Sequence, residues 1–516
     1  MRVFIVVFLS LLLFLNNGFL LNDEMLVVQQ VKSIENGFKI NVEELVGYTG
    51  TPWFEINGSR YAPFSYLLPV LAYPIYGVLL YLNNFGYPDL LLALIPPAGF
   101  IILSLKIKRC RGLSFAFFAG CVLLFRPVYL FEDWAAIFAL KLVNILATSL
   151  TAEIMFRIFK EETDENSALS SAILLTFATP LAYWTLSAKL HALTLLTIAT
   201  IFYSLKRHLK SNDDRYLLLA SFLSGFCFFL RAMDGLIISA SIILWLIIFK
   251  REKLIYTASI ALGYLPCALF GYLVFGIPLP VEVVGNVFSN VTYVKASTLN
   301  ETLFMTPLVL FGLNNNTFGI LNYSPILASL VLPLIGAINK KSFYHLNEFE
   351  KFLLLFTFMC ILLYLPYLKV GVVDTGVRDY RFLLPTYLTL MYFIAVRIKP
   401  EIALSSALMS LSCFLISMIV VSILLHQFLE KIYLGILVIS IILNIVFVFI
   451  NRFERREEVF SLAFFSTVFF VSDVIMGYFS PYDIHFTNPI LNSFVEILMW
   501  IHGSFIKNGC PENPEL

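Results

Sequence analysis

Apolar residues run through this chain in long stretches separated by short charged turns. A stretch of about twenty apolar residues is enough to cross about 30 Å of hydrocarbon, so the pattern predicts membrane-spanning helices. The predicted spans are 3–21, 89–105, 113–125, 135–156, 168–184, 192–205, 216–230, 236–249, 254–275, 324–338, 352–368, 382–396, 402–425, 433–450 and 459–478. The expected fold class is all-α: a polytopic membrane protein of roughly 13–15 transmembrane helices. Three weaker patterns stand apart. Val27 to Ile34 reads as an amphipathic helix in the membrane interface, with Val27, Val31 and Ile34 on one face and Gln30 and Lys32 towards water. The apolar run 67–82 is broken by Pro69 and Pro74 and reads as a helix lying in or dipping into the interface, since a full span there would reverse the sidedness of its neighbours. The run 304–313 is too short to span and reads as a re-entrant or interfacial helix, or as a buried piece of loop.

Composition narrows the class. Of 516 residues, 59% are hydrophobic and 13% charged, with a mean hydropathy of +0.86. A soluble domain carries about 25% charged residues, so half that density excludes a water-soluble enzyme of this size. The formal net charge of +1 excludes the basic excess of a nucleic-acid binder. The seven cysteines form no C-x-x-C pair, which argues against a zinc site or a disulfide framework. A GxxxxGK[ST] loop and a solenoid-length repeat are both lacking, which argues against ATP-driven transport within this chain.

Charge then orients the spans. Basic residues gather in alternate turns, at 106–111, 157–160, 206–210, 250–253, 340–341, 397–399 and 452–456, which the positive-inside rule places in the cytoplasm. Segments 22–88, 126–134, 277–323 and 370–381 then fall outside, and the N-x-S/T sequons at Asn57, Asn290, Asn300 and Asn315 all lie in them. The first 21 residues read as a retained span or as a cleaved signal peptide. Either way the chain continues outside. The expected organisation is a membrane module over 1–275 that includes the external loop 22–88, an external loop over 276–323, and a second membrane module with a C-terminal tail over 324–516.

The large external loops are where chemistry is expected. Asp23-Glu24 follows the first span directly, and Glu132-Asp133 sits with Arg126 in a second external turn. Each pair reads as ordinary helix-end charge, or as a general base at the membrane surface whose proton affinity a low dielectric can tune. Lys141 and Asp473 lie inside apolar runs. Intramembrane charges count as functional candidates, although Lys141 reads as the more structural.

An ordered set of short motifs resembles a known group. Asp23-Glu24 is followed by Ser59-Arg60-Tyr61-Ala62-Pro63, by Ala178-Thr179-Pro180 with His191 beyond, and by Gly225 through Arg231. Phe275-Gly276-Ile277-Pro278, Gly319 through Pro325, and Val377-Arg378-Asp379-Tyr380-Arg381 complete the set. Together they resemble the GT-C superfamily of integral membrane glycosyltransferases, which holds protein O-mannosyltransferases and aminoarabinose lipid transferases. The resemblance implies transfer of a sugar from a polyprenyl- or dolichyl-phosphate carrier to a protein, lipid or glycan on the external face of the cell membrane. It also implies that Asp23 is the catalytic carboxylate, with Glu24 the lesser candidate of the pair; Glu132 and Asp133 stand beside this as a second acidic site read from the residues alone. Cations on the external side would then face the carrier phosphate: Arg60, Lys189, Arg231, Arg378 and Arg381. For each of these, snorkelling to the interface is the plainer reading. Tyr61 and His191 are candidate contacts to donor or acceptor. A divalent metal is open, because Asp23, Glu24, Glu132 and Asp133 would hold one only if they converge. The competing classes are a transporter or flippase of lipid-linked or small solutes, and a glycan polymerase or ligase of similar architecture.

Overall fold

The computed structural model describes residues 2–12, 24–43, 53–83, 131–177, 179, 181–288, 346–364 and 383–397. The expected spans at 89–105, 113–125, 324–338, 402–425, 433–450 and 459–478, and the short helix at 304–313, lie outside the described residues.

The axis of the bundle is α4 (Phe131–Lys160), whose 30 residues span about 45 Å at 1.5 Å per residue. Small residues on its outer half, Ala135, Ala136 and Ala139, let neighbours approach closely. Packed on it are α1 (Arg2–Leu12), α3 (Leu67–Asn83), α5 (Glu165–Phe177) and α7 (His191–Ser211). A second layer is formed by α8 (Asp214–Leu230), α9 (Ala232–Phe249) and α10 (Ala258–Phe275), and α10 is preceded by a 3-10 turn, Arg251–Thr257. Helix α12 (Glu348–Tyr364) packs on α9, and α13 (Leu384–Arg397) packs on α12 and α5. Among the described residues, three stretches are long and apolar enough to cross a membrane: α4, α9 and α10 with its 3-10 turn. The apolar window of α4 is 83% buried against 28% for α10, so α4 is solvated by protein and α10 by its surroundings.

Helix ends follow local chemistry. Asn212 adopts φ 53° and ends α7, and the Asp213 side chain then accepts the Arg215 N–H to cap α8. Gly276, at φ 73°, ends α10 in the left-handed conformation that favours glycine. Helices α8 and α10 meet backbone to backbone. A Cβ on Gly225 would lie 2.0 Å from the Ile260 carbonyl oxygen, and one on Gly263 would lie 1.8 Å from that of Phe222.

The two ends of the bundle differ in character. At one end ion pairs tie the turns together: Lys160–Glu165 at 2.8 Å, Lys206–Glu162 at 2.6 Å, Lys253–Asp214 at 2.6 Å and Lys250–Glu348 at 3.2 Å. The basic turns at 157–160, 206–210 and 250–253 all belong to this end. The other end carries α2 (Glu24–Lys32), a β-hairpin, the short α6 (Leu181–Thr185) and α11 (Val281–Phe288). The hairpin pairs β1 (Phe54–Ile56) with β2 (Ser59–Tyr61), Phe54 opposite Tyr61.

The all-α expectation holds among the described residues, which add to the helices this one short hairpin. Three expectations need correcting. The span expected at 168–184 is two helices, α5 and α6, with Thr179 and Pro180 between them. Glu132 and Asp133 stand in the first turn of α4 rather than in a connecting turn. Gln30 does not face water: it is fully buried, and its Nε2 donates to the Phe64 carbonyl at 2.6 Å. Helix α2 is covered by the hairpin-to-α3 segment, so Gln30 meets protein rather than water.

Candidate active site

The hairpin end is built around the segment joining α6 to α7. Asn144 of α4 donates from Nδ2 to the carbonyls of Ser187, at 2.7 Å, and Lys189, at 2.8 Å. Thr148 hydrogen-bonds Thr185 at 2.6 Å. From the opposite side the Glu24 carboxylate accepts the Ala188 N–H at 2.9 Å. Glu24 is fully buried, and its charge acts on the buried Lys141 of α4. Burying a carboxylate is costly unless donors and a counter-charge surround it, and this site supplies both.

Lys189 is buried, with its Nζ 3.7 Å above the Phe64 ring, a close cation–π contact. The next residue, Ser65, donates to the Phe229 carbonyl in the last turn of α8. The dipeptide Phe64-Ser65 therefore links Lys189 to the break between α8 and α9. That break is Arg231, extended at φ −147° and ψ 116°. Its Nη1 lies 2.8 Å from Asp234 Oδ2, and Tyr364 donates to Asp234 Oδ1 at 2.5 Å. Glu282 of α11 accepts the Ala232 N–H at 2.9 Å and interacts electrostatically with Arg231, Asp234 and Lys189. Burial lifts the Glu282 carboxyl above the usual carboxylate range, and Arg231 and the Ala232 N–H pull it back in part. Two carboxylates thus do matching work. Glu24 grips the peptide beside Lys189, and Glu282 grips the peptide beside Arg231.

This architecture is similar to solved structures and, in part, to one family description. Residues 126–281 match the family described as dolichyl-phosphate-mannose-protein mannosyltransferase. ArnT from Cupriavidus metallidurans bound to undecaprenyl phosphate superposes with a TM-score of 0.52 at 11% identity, over 99% of this chain and 80% of that one. The fold is that of ArnT. Apo ArnT from the same organism aligns with a TM-score of 0.43 at 12% identity, over 71% of this chain and 65% of that one. No curated protein matches the chain. The family match runs from the segment before α4 to the first residue of α11, so it contains Glu132, Asp133, Lys189, His191 and Arg231 and stops one residue short of Glu282.

Within this fold the remaining candidates separate. Asp133 pairs with Lys32 at 3.1 Å, at the far end of α2 from Glu24. Eight residues of helix put these two sites about 12 Å apart, so Glu24 and Asp133 do not converge. Glu132 is exposed. Among the described residues, no three His, Cys, Asp or Glu side chains gather where they could hold a metal ion. Arg60 is exposed on the hairpin, beside Glu55 at 3.8 Å and over the Trp53 ring at 5.0 Å, away from the Lys189–Arg231 pair. Tyr61 packs edge-on against Phe275 at 5.1 Å, inside an apolar cluster under the hairpin. His191 is buried edge-on against Trp184 at 4.9 Å. Asp23, Arg126, Arg378 and Arg381 lie outside the described residues. Sequence reasoning missed Asp234 and Glu282. Both had a signal: Asp234 stands three residues after Arg231 on an apolar helix, and Glu282 interrupts an apolar run in an external loop.

Proposed function

We infer that the chain is a membrane glycosyltransferase that moves a sugar from a polyprenyl- or dolichyl-phosphate carrier to an acceptor hydroxyl on the external side of the membrane. The observation that carries this reading is the joining of Lys189 and Arg231, both inside the region that matches the mannosyltransferase family, by Phe64-Ser65 and Glu282 from outside it. ArnT, with the same fold, was crystallised with undecaprenyl phosphate, a ligand of the chemistry two such cations would hold.

In this reading the acceptor oxygen attacks the anomeric carbon of the carrier-bound sugar. The bond from that carbon to the phosphate oxygen breaks, and its electron pair stays on the phosphate. Lys189 and Arg231 offset the charge that develops there. The acceptor proton passes to Asp23, next in sequence to the anchored Glu24. Glu24 holds Ala188, and with it the Lys189 turn, against α4. Residues 1–275 supply the base, the acidic pair and both cations, with α11 of the 276–323 segment closing over them and 324–516 forming a second membrane module.

The test is transfer of radiolabelled sugar from a polyprenyl-phosphate donor in membranes containing the protein. It is paired with impermeant thiol labelling of Lys39→Cys and Ser211→Cys, both at exposed positions at opposite ends of the bundle. In intact cells the first should label and the second should not. Equal labelling would remove the assignment of the site to the external side.

A further inference from the structure

Among the described residues, the proposed phosphate site brings two cations and two acidic groups together. Arg231 and Lys189 contribute two positive charges, and Asp234 and Glu282 two negative ones. Asp234 is fully committed, since Oδ1 accepts from Tyr364 and Oδ2 pairs with Arg231. Glu282 differs. It sits on the external helix α11, keeps part of its surface exposed, and spends one oxygen on the Ala232 N–H. The groups that face it are Arg231 at the head of α9, Asp234 on α9, Lys189 before α7 and Cys267 on α10.

We propose that Glu282 is a specificity-determining residue that makes this site favour the sugar-loaded carrier over the spent one. The inference rests on the lipid-phosphate reading above. A carrier-linked sugar is a phosphodiester with one negative charge. The spent carrier is a monoester whose second pKa is about 6, so near neutral pH it carries almost two. Arg231 and Lys189 attract both. A carboxylate fixed beside them repels the doubly charged species more strongly, and the repulsion acts in a half-buried place where screening is weak. Charge gained in the reaction therefore works against retention of the product. Glu282 stands where it can do this because it reaches the peptide next to Arg231 and is held there by its hydrogen bond. Gly285, one turn on, fixes the approach: a Cβ there would lie 2.6 Å from Pro63 Cβ, so α11 is pressed onto the hairpin segment.

The experiment compares Glu282→Gln with the parent in donor-dependent sugar transfer, using a short-chain polyprenyl phosphate as competing product. Gln keeps an oxygen for the Ala232 N–H and removes only the charge. The ratio of product Ki to donor KM should fall about fivefold or more in the variant, through tighter product binding. In the parent, lowering the pH from about 7.5 to about 5.5 should also tighten product binding relative to donor, because the monoester loses its second charge there and with it the added repulsion from Glu282. This second arm needs no variant and decides the matter if Glu282→Gln does not fold. A parent that transfers sugar but gives the same ratio as folded Glu282→Gln, or a product Ki that ignores pH, overturns the inference alone. A parent that transfers nothing from such donors overturns the donor reading and this inference with it.

Discussion

The Glu24 carboxylate accepts the Ala188 N–H at 2.9 Å, across 164 residues of chain, and the next side chain after Ala188 is Lys189. An acidic residue at the start of one short helix thus fixes the peptide that carries a cation on a distant turn. Glu24→Ala should destabilise the protein by about 3–5 kcal/mol, since it takes the carboxylate away from a buried N–H and from Lys141. Glu24→Gln keeps an acceptor for the N–H and should cost less. Melting in detergent, followed by loss of the monodisperse peak in size exclusion, measures both. Equal melting of Glu24→Ala and the parent would remove the anchoring role.

Asp23→Asn should behave in the opposite way. It keeps size and most hydrogen bonding but cannot accept a proton at neutral pH. Transfer should fall about a hundredfold or more while the melting temperature stays near that of the parent. Parent-like transfer by Asp23→Asn would take the base assignment away from Asp23.

Lys189→Ala and Arg231→Ala should each raise the donor KM about ten- to a hundredfold, the usual effect of losing a charge-assisted contact. Because both serve one phosphate, the double variant should lose less than the product of the single effects. Arg60→Ala, which removes an exposed pair with Glu55, should change donor KM by less than about twofold. Steady-state kinetics against donor concentration separates these outcomes, and simple multiplicativity of the first two would place the cations at separate sites.

Asp133→Asn should act on stability alone. Its pair with Lys32 is partly buried and pins the end of α2 to the start of α4. The expected loss is about 1 kcal/mol, with a matching coupling in a double-mutant cycle with Lys32→Met. A large fall in transfer at unchanged melting temperature would instead make Asp133 part of the chemistry.

Much of this was legible along the chain because burial in lipid needs unbroken apolar runs, and the ends of such runs need charge. The starts and stops of α4, α7, α8, α9 and α10 lie within a few residues of the expected spans. The alternation of basic turns fits the gathering of Lys160, Lys206, Lys250 and Lys253 at one end. What failed were pairings between distant segments. Gln30 looked solvent-facing because periodicity knows nothing of the Phe64 carbonyl that covers it. The Tyr364–Asp234 contact joins α12 to α9 and leaves no trace in either sequence. The hairpin is a different failure. Asn57-Gly58 between two short β-prone runs is a strong hairpin signal, and both residues adopt the positive φ that such a turn requires.

Where Gly225 and Gly263 meet, no side chain stands between α8 and α10 to change rotamer and let one helix slip past the other. That seam works as a fixed post. Arg231 follows directly from the top of α8, and α11 with Glu282 follows from the top of α10, so half of the proposed phosphate site is mounted on the post. The other half, Lys189, hangs from a turn held by Asn144, Thr148 and Glu24 through individual hydrogen bonds, each of which can open and re-form. Whatever movement the proposed carrier exchange requires is therefore borne by the Lys189 side.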